Sequence, residues 1–383
     1  MLHSECNNSG RGDPMGTEQT EFTEAELLAG HPIAEPLVLG GVRCHGGFNE
    51  SGDYVSPRTL NRIPAIKAWQ DQHVEQFGTE LLGLPIDTWP ASYPNLPQAR
   101  YLIEIGAPEP IISDLTRIGT VEGFGAMIRN SVLPDFQKTF VEDTRGTAID
   151  HLGRGLYEAH ARDEAGFEDE GGHKQMWFAC RDIAFESPVT GDMTVQMLER
   201  MGIATPGTGG AVDQAALRKA AIANRILPDD IDFELESLLA RMIRLLFIEI
   251  SAFHTFAWAE DLLSDTDLVA GDGAAARLVS YIRSDETPHV DYLRTVLTEM
   301  RDRTLVTSSG TRYAGTDIIG PIWDRALEQS LGAGKQQGQE LAWREVVHAL
   351  EGRSDAADAL QHFNELGTVQ RSDDGTWSTA LAA

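Results

Sequence analysis

A single glutamate interrupts the most apolar stretch of this chain, LLFIEISAFHTF, which runs from Leu245 to Phe256. Read as a helix, it gives Glu249 the three- and four-residue neighbours Leu245, Leu246, Ala252, Phe253 and Phe256. The carboxylate therefore lies on the face that must be buried. A buried carboxylate left alone costs several kcal/mol, so the fold has to neutralise it, pair it or give it to a metal. Pairing with a base such as His254 and ligation of a metal are both open on this evidence. The choice turns on whether other helices carry the same anomaly.

A second helix does. From Ala274 to Arg303 the apolar positions are Leu278, Val279, Ile282, Val290, Leu293, Val296 and Leu297. Glu286 and His289, inside the pentad DETPH, fall on that stripe. The pentad has a partner, DEGGH, in which Glu170 and His173 are again three apart on a face continued by Trp177 and Cys180. Gly171 and Gly172 are poor helix residues and point to close approach by another segment or to a local distortion. Pro288 removes a helical hydrogen bond beside His289 in the other copy.

A glutamate and a histidine one turn apart can reach one metal ion, with the carboxylate also bridging to a second. Two such pairs and two lone glutamates make four carboxylates and two imidazoles. The expected ligands are Glu142, Glu170, His173, Glu249, Glu286 and His289. Glu142 is preferred as the first lone carboxylate because it stands 28 residues before Glu170, which suits a helical hairpin turning at Gly153 to Tyr157. Glu122, with the more apolar face, and Glu158 are the alternatives. A metal-bound imidazole usually donates its other N–H to a carboxylate, and Asp169 and Asp285 are placed in sequence for that role. Oxygen and imidazole donors suit iron or manganese, and the absence of thiolates argues against structural zinc.

The series Glu142, Glu170-Gly-Gly-His173, Glu249, Glu286-Thr-Pro-His289 resembles the ferritin-like superfamily of di-iron oxidases and oxygenases. That group includes ribonucleotide reductase small subunits, bacterial multicomponent monooxygenases, acyl carrier protein desaturases and arylamine N-oxygenases. Gly172 and Pro288 stand where an arginine often stands in the first two. The resemblance implies a four-helix bundle over 109–303, two iron ions (or manganese, or a mixed pair), and O2 as co-substrate. It implies monooxygenase or oxidase chemistry on a small organic molecule by hydroxylation, N-oxygenation or desaturation, with an external electron donor. The radical tyrosine of some reductase subunits lies one turn beyond the first histidine. Here that position is Trp177, which argues against that role. Iron handling without oxygenase turnover, and a metal-free helical interaction protein, are the competing functions.

The remaining organisation is read from composition. Strand alternation is hard to find, and the fold class is all-α. Residues 1–30 are expected to be a flexible tail. Residues 31–108, rich in Pro and Gly, are expected to wrap the bundle around one helix near Ile63 to Leu82, and 304–383 to add helices. These extensions would shape a pocket, for which Phe140, Trp177, Phe247, Phe253 and Phe256 are candidate apolar liners. The 383 residues carry a formal charge of −28, from 59 acids and 31 bases. That field repels phosphate backbones, so nucleic acid is excluded as a partner. No run approaches a membrane span and no signal peptide is recognisable. Three scattered cysteines fit a cytoplasmic protein. A homodimer is an assembly that bundles of this size often adopt.

Overall fold

The computed structural model describes residues 19–185, 189–201, 214–372 and 375–379. They are mainly helical, as the 3.6-residue periodicity predicts. The N-terminal region contains α1 (Glu24–Leu27), β1 (Glu35–Leu39), β2 (Val42–Phe48), β3 (Tyr54–Val55), α2 (Arg62–Phe77) and α3 (Leu96–Glu104). The central part comprises α4 (Glu109–Gly125), α5 (Phe136–Thr139), α6 (Ala148–His151), α7 (Tyr157–Ala165), α8 (His173–Ala184), α9 (Gly191–Arg200), α10 (Gln214–Ala223), α11 (Phe233–Leu263), α12 (Ala274–Asp285) and α13 (Thr287–Arg301). Two short hairpins, β4–β5 (Thr304–Val306, Arg312–Ala314) and β6–β7 (Val369–Arg371, Trp377–Thr379), bracket α14 (Gly315–Gln329), α15 (Lys335–Leu350) and α16 (Ala356–Glu365).

Helix α4 packs on α7 and α8, α8 on α12, and α11 on both α12 and α13. Along α11 the buried apolar residues from Leu235 to Ile250 belong to one cluster, and Ala252, Phe256, Ala259 and Leu263 to another. The same division falls on the last pair of helices, with Ile282 in the second cluster and Val290 in the first. Glu249, Glu286 and His289 sit where the two apolar layers meet. The polar residues noticed in the sequence therefore form a seam across the core.

Several expectations are corrected. The stretch from Leu133 to Leu152 is not one helix but two four-residue turns, α5 and α6, separated by the Glu142 loop. The Phe140 N–H closes the last helical bond of α5, to Phe136, and the residue bridges antiparallel to Leu305; the next N–H, of Val141, donates to Thr304 at the β4 edge instead. The hairpin turn placed at Gly153 to Tyr157 is a kinked helical turn, Leu152–Leu156, leading straight into α7. The helical face expected to carry Glu170 and His173 together is interrupted, since α7 ends at Ala165 and α8 starts at His173. The N-terminal tail is ordered from residue 19, where a Thr23–Glu26 capping box starts α1 and buries Phe22 and Leu27; residues 1–18 lie outside the described residues. Strands were missed because β1–β2–β3 is a small antiparallel sheet whose central strand contains Gly46 and Gly47 and lacks apolar alternation. The loop between α11 and α12 is the segment SDTDLVAGDG, Ser264 to Gly273.

Candidate metal centre

Glu249 on α11 faces His160 on α7 at 3.6 Å. His160 in turn lies 3.7 Å from Glu164, one turn further along α7. Glu164 reaches His173 with one oxygen (3.4 Å) and His289 with the other (3.4 Å). Glu286, at the junction of α12 and α13, does the same: one oxygen is 2.8 Å from His173 and the other 2.7 Å from His289. Glu122, on the last turn of α4, closes the ring 3.7 Å from His173. All of these side chains are buried.

These contacts resolve into two ligand sets, His160–Glu164–Glu249–His289 and Glu122–Glu164–His173–Glu286. Glu164 belongs to both. Glu286 turns its second oxygen to His289 and so links them too. Each set offers donor atoms within 4.8 Å of one another, and buried clusters of this kind could hold a metal ion. The donors are carboxylate oxygens and imidazole nitrogens.

The protonation pattern fits a site built for cations. Burial and then Glu164 push the Glu122 carboxyl well above its usual range; burial, Glu286 and Glu164 do the same to Glu249. Against the cost of burial, His173 and His289 hold Glu286 well below. Burial opposes charge on those two imidazoles as well, yet Glu286 and Glu164 raise both pKa values. Burial and His289 drive His160 down to about 3. The four buried glutamates thus depend on protons held inside the site, and two divalent cations would offset the same four charges. Several buried atoms in the ring make close ionic contacts but no aligned hydrogen bond: His160 Nε2, His173 Nδ1, Glu164 Oε2 and Glu286 Oε1. Unsatisfied donors and acceptors converging on one point are what a metal ion would satisfy.

Each imidazole turns its other nitrogen outward, His289 and His160 to a hydrogen-bond partner and His173 toward a carboxylate beyond hydrogen-bond distance. His289 Nε2 donates to Asp163 at 3.0 Å. His173 Nε2 stands 3.7 Å from Asp285. His160 Nδ1 lies 3.3 Å from the Tyr292 hydroxyl, with the His160 ring stacked on His289 at 4.0 Å. The two aspartates are themselves held. Asp163 accepts from Arg58 Nε at 2.7 Å and faces Arg62 at 2.8 Å; although burial opposes it, these two cations keep its carboxyl well below the ordinary range. Asp285 accepts from Tyr54 at 2.8 Å and His45 at 3.2 Å. Arg58 donates to His45 Nδ1 at 3.3 Å, which leaves Nε2 carrying the proton toward Asp285. The N-terminal segment is therefore more than a wrapping: β2, β3 and α2 supply the outer ring of the centre.

The structure brings His173, Glu249, Glu286 and His289 together and places Asp285 directly outside them. It puts Glu142, Glu170 and Asp169 elsewhere. Glu142 accepts from the Thr304 backbone N–H and hydroxyl at 2.7 and 2.9 Å. Glu158 faces outward, bonded to Arg162 at 2.7 Å. Glu170 and Asp169 sit at the surface beside Arg43, at 3.5 and 3.2 Å. The reason is a loop. After Ala165 the chain makes a tiny hairpin, with Phe167 and Glu170 exchanging both backbone hydrogen bonds and Glu168 at φ 54°. Gly171 then joins the edge of β2, donating to Arg43 and accepting from His45. The helix restarts only at His173. Gly172 is required at this re-entry: a Cβ there would lie 2.3 Å from Gly166 N and 2.4 Å from Asp163 O.

Glu122, Glu164, His160 and the outer partners Asp163, His45, Tyr54, Arg58 and Arg62 complete what the sequence reading left out. Glu122 was visible as an alternative through its apolar face. His160 and Glu164 are four apart on one helix face, and the doublet Asp163-Glu164 repeats Asp285-Glu286. That doublet was the available signal; the nearer doublet Asp169-Glu170 hid it. None of the five aromatic side chains expected to line a pocket borders the cavity at the centre. Trp177 packs on Phe256 at 4.9 Å, Phe247 on Trp323 at 4.7 Å, and Phe140 stacks near Phe136 in the core, with Phe253 against the same core.

The cavity that does reach the centre has a volume of about 590 Å³ and is bordered by Glu122, Glu164 and Glu249. Its walls include Val121, Phe124, Met127, Ile128, Leu245 and Ile248, with Arg241 and Arg244 also on its border. Gly125 keeps it open on the ligand side, since a Cβ there would come within 2.7 Å of Glu164 Cγ and 3.3 Å of His160 Nε2. No helix among the described residues is long and apolar enough to cross a membrane. Comparison with known proteins gives no match: no family model fits the chain, and no curated protein and no solved structure matches it.

Proposed function

We propose that this chain is a di-iron oxidase or monooxygenase of the ferritin-like kind, acting with O2 and an external electron donor on a small organic molecule in the cytoplasm. In this reading the helices bearing the ligands, α4, α7 with α8, α11, and α12 with α13, are the four members of the bundle. The observation that carries the proposal is the pair of ligand sets that share Glu164, with Glu286 reaching a histidine of each, at the end of an apolar cavity.

Glu122, Glu164, His173 and Glu286, with His160, Glu249 and His289, are the residues that would hold the ions. When bound, the ions supply the electrons and Lewis acidity needed to reduce O2. The protein does the rest. Asp163 holds the His289 ring and Asp285 stands beside His173, which sets which imidazole nitrogen faces inward. The protons that burial retains on Glu122 and Glu249 leave as metal enters, so loading strengthens with rising pH. The apolar walls keep water from the reacting position and present the substrate next to Glu122 and Glu249.

The test is metal content followed by reaction with O2. Purified chain supplied with Fe(II) is expected to retain two ions per chain and to change its visible spectrum on exposure to O2. Glu249→Ala and Glu286→Ala should fold, by circular dichroism, and lose iron. Substrate-free oxidation with mineral build-up would favour iron handling instead. Metal content of zero in the parent chain would overturn the proposal in favour of a helical interaction protein.

A further inference from the structure

Arg241 and Arg244 have no acidic partner among the described residues, in a chain with nearly twice as many acids as bases. Their neighbours show the contrast. Arg218 pairs with Glu234 at 2.6 Å and Arg225 with Glu236 at 2.8 Å. Arg241 makes one neutral contact, donating to Ser131 Oγ at 2.8 Å, and Arg244 donates to the Ala240 carbonyl at 3.1 Å. Loss of hydration and the like charges of Arg241 and Arg325 lower the Arg244 pKa. Grouping like charges without a counter-ion is unfavourable, and an anion placed between them would relieve it.

Arg241 and Arg244 both border the cavity that ends on the candidate metal centre, and both also border the neighbouring pocket lined by Arg218, Arg225 and Arg325. Arg244 and Arg241 precede Glu249 on α11 by five and eight residues, which is roughly 8 and 12 Å along the helix axis. Between the two ends the wall is apolar, and Phe124, Met127 and Ile248 leave 41, 64 and 46% of their surface exposed. Single exposed apolar side chains are ordinary, but three on the wall of one cavity mark a binding surface.

We infer that the cavity binds an amphipathic organic anion, with its carboxylate on Arg241 and Arg244 and an apolar body roughly 8–12 Å long directed at Glu122 and Glu249. This rests on the proposed function, because it identifies that reaction's substrate class. The arginines would set orientation: the charged head is held at the mouth, and the end of the chain remote from it is oxidised. A bidentate, charge-assisted contact is strong enough to dominate the choice of ligand.

Octanoate and its uncharged analogue octanamide serve as probes, with binding to the iron-loaded full chain followed by calorimetry. Octanoate is expected to bind at least about tenfold tighter than octanamide. Arg241→Gln/Arg244→Gln, both at exposed positions, should abolish that preference while iron stays at two per chain. Equal binding of the two probes, or no binding of octanoate, overturns the anion site and leaves the di-iron proposal standing. A preference that survives the double variant also overturns it, by placing the carboxylate on the metals. A preference lost with the arginines in a chain that holds no iron would instead sink the di-iron proposal and leave the anion site intact.

Discussion

The two halves of the centre carry the same Asp-Glu doublet and reach the same geometry by different chain paths. In the second half Asp285, Glu286 and His289 lie within five residues across a proline-marked helix junction. In the first half Asp163 and Glu164 end α7, a hairpin intervenes, and the histidine arrives nine residues after the glutamate as the first residue of α8. The outer carboxylates then cross over: Asp163 holds His289 and Asp285 faces His173. Each half therefore sets a carboxylate beside the imidazole of the other, bonded to His289 and at 3.7 Å from His173. The spacing between a glutamate and its histidine can lengthen by a whole loop, provided the loop returns the histidine to the same face. Here the return is secured by Gly171 pairing with β2.

The sharpest break in this comparison is between the two glutamates of the first half. Glu164→Ala should remove both metal ions, because the carboxylate serves both ligand sets, whereas Glu170→Ala should keep two per chain and change stability by no more than about 0.5 kcal/mol. Metal analysis and thermal melts decide it, and a Glu170→Ala chain without metal would reverse the assignment.

The crossed aspartates come next. Asp163→Asn leaves Arg58 and Arg62 buried without their counter-charge and should cost about 3 kcal/mol or more, whereas Asp285→Asn keeps an acceptor for Tyr54 and His45, removes one negative charge beside His173 and should cost about 1–2 kcal/mol. Both should weaken metal binding by roughly 10–100-fold. Denaturant unfolding of the metal-free chains separates the two; equal losses would mean that the Arg58–Arg62 charges are satisfied elsewhere.

The loop itself is probed by Gly172→Ala. The added methyl meets backbone atoms of Gly166 and Asp163, and the expected cost is about 1–3 kcal/mol. Iron occupancy should fall on the His173 side first, read as a drop toward one ion per chain.

A buried glutamate outside the centre supplies the reference. Burial, opposed by Arg303 and by the Ile149 and Ala148 N–H groups, pushes the Glu299 carboxyl up to about 7. Its folded pKa is above the unfolded value, so its contribution is fully present below the unfolded pKa and is lost as pH rises through about 7. Melting of the metal-free chain at pH 5 and pH 8 should show this loss, and Glu299→Gln should flatten it. An unchanged slope in the variant would assign the pH dependence to other groups.

Helical periodicity by itself was enough to find four members of the cluster. Glu249, Glu286, His289 and His173 each stand on an apolar face, and placing charge there is costly in any helical fold. The same reasoning made Glu122 an alternative. It failed at Glu142 and Glu170 because both were assigned to helices that tertiary contacts prevent. Phe140 bridges to Leu305, and Gly171 pairs with a strand some 126 residues earlier, as the Arg43–Asp169 contact also shows. Glu164 escaped notice for a related reason: its partner in the first half is no longer one turn away.

What the sequence determined is the chemistry: buried carboxylates and imidazoles on helices, in numbers that need cations or protons to balance them. What only the tertiary structure decided is the membership and the wiring. Which Asp-Glu doublet faces inward, and the recruitment of His45, Tyr54, Arg58 and Arg62 from the N-terminal segment, depend on contacts between residues more than a hundred positions apart. Local periodicity reports which face of a helix is buried; it carries no information about what that face meets.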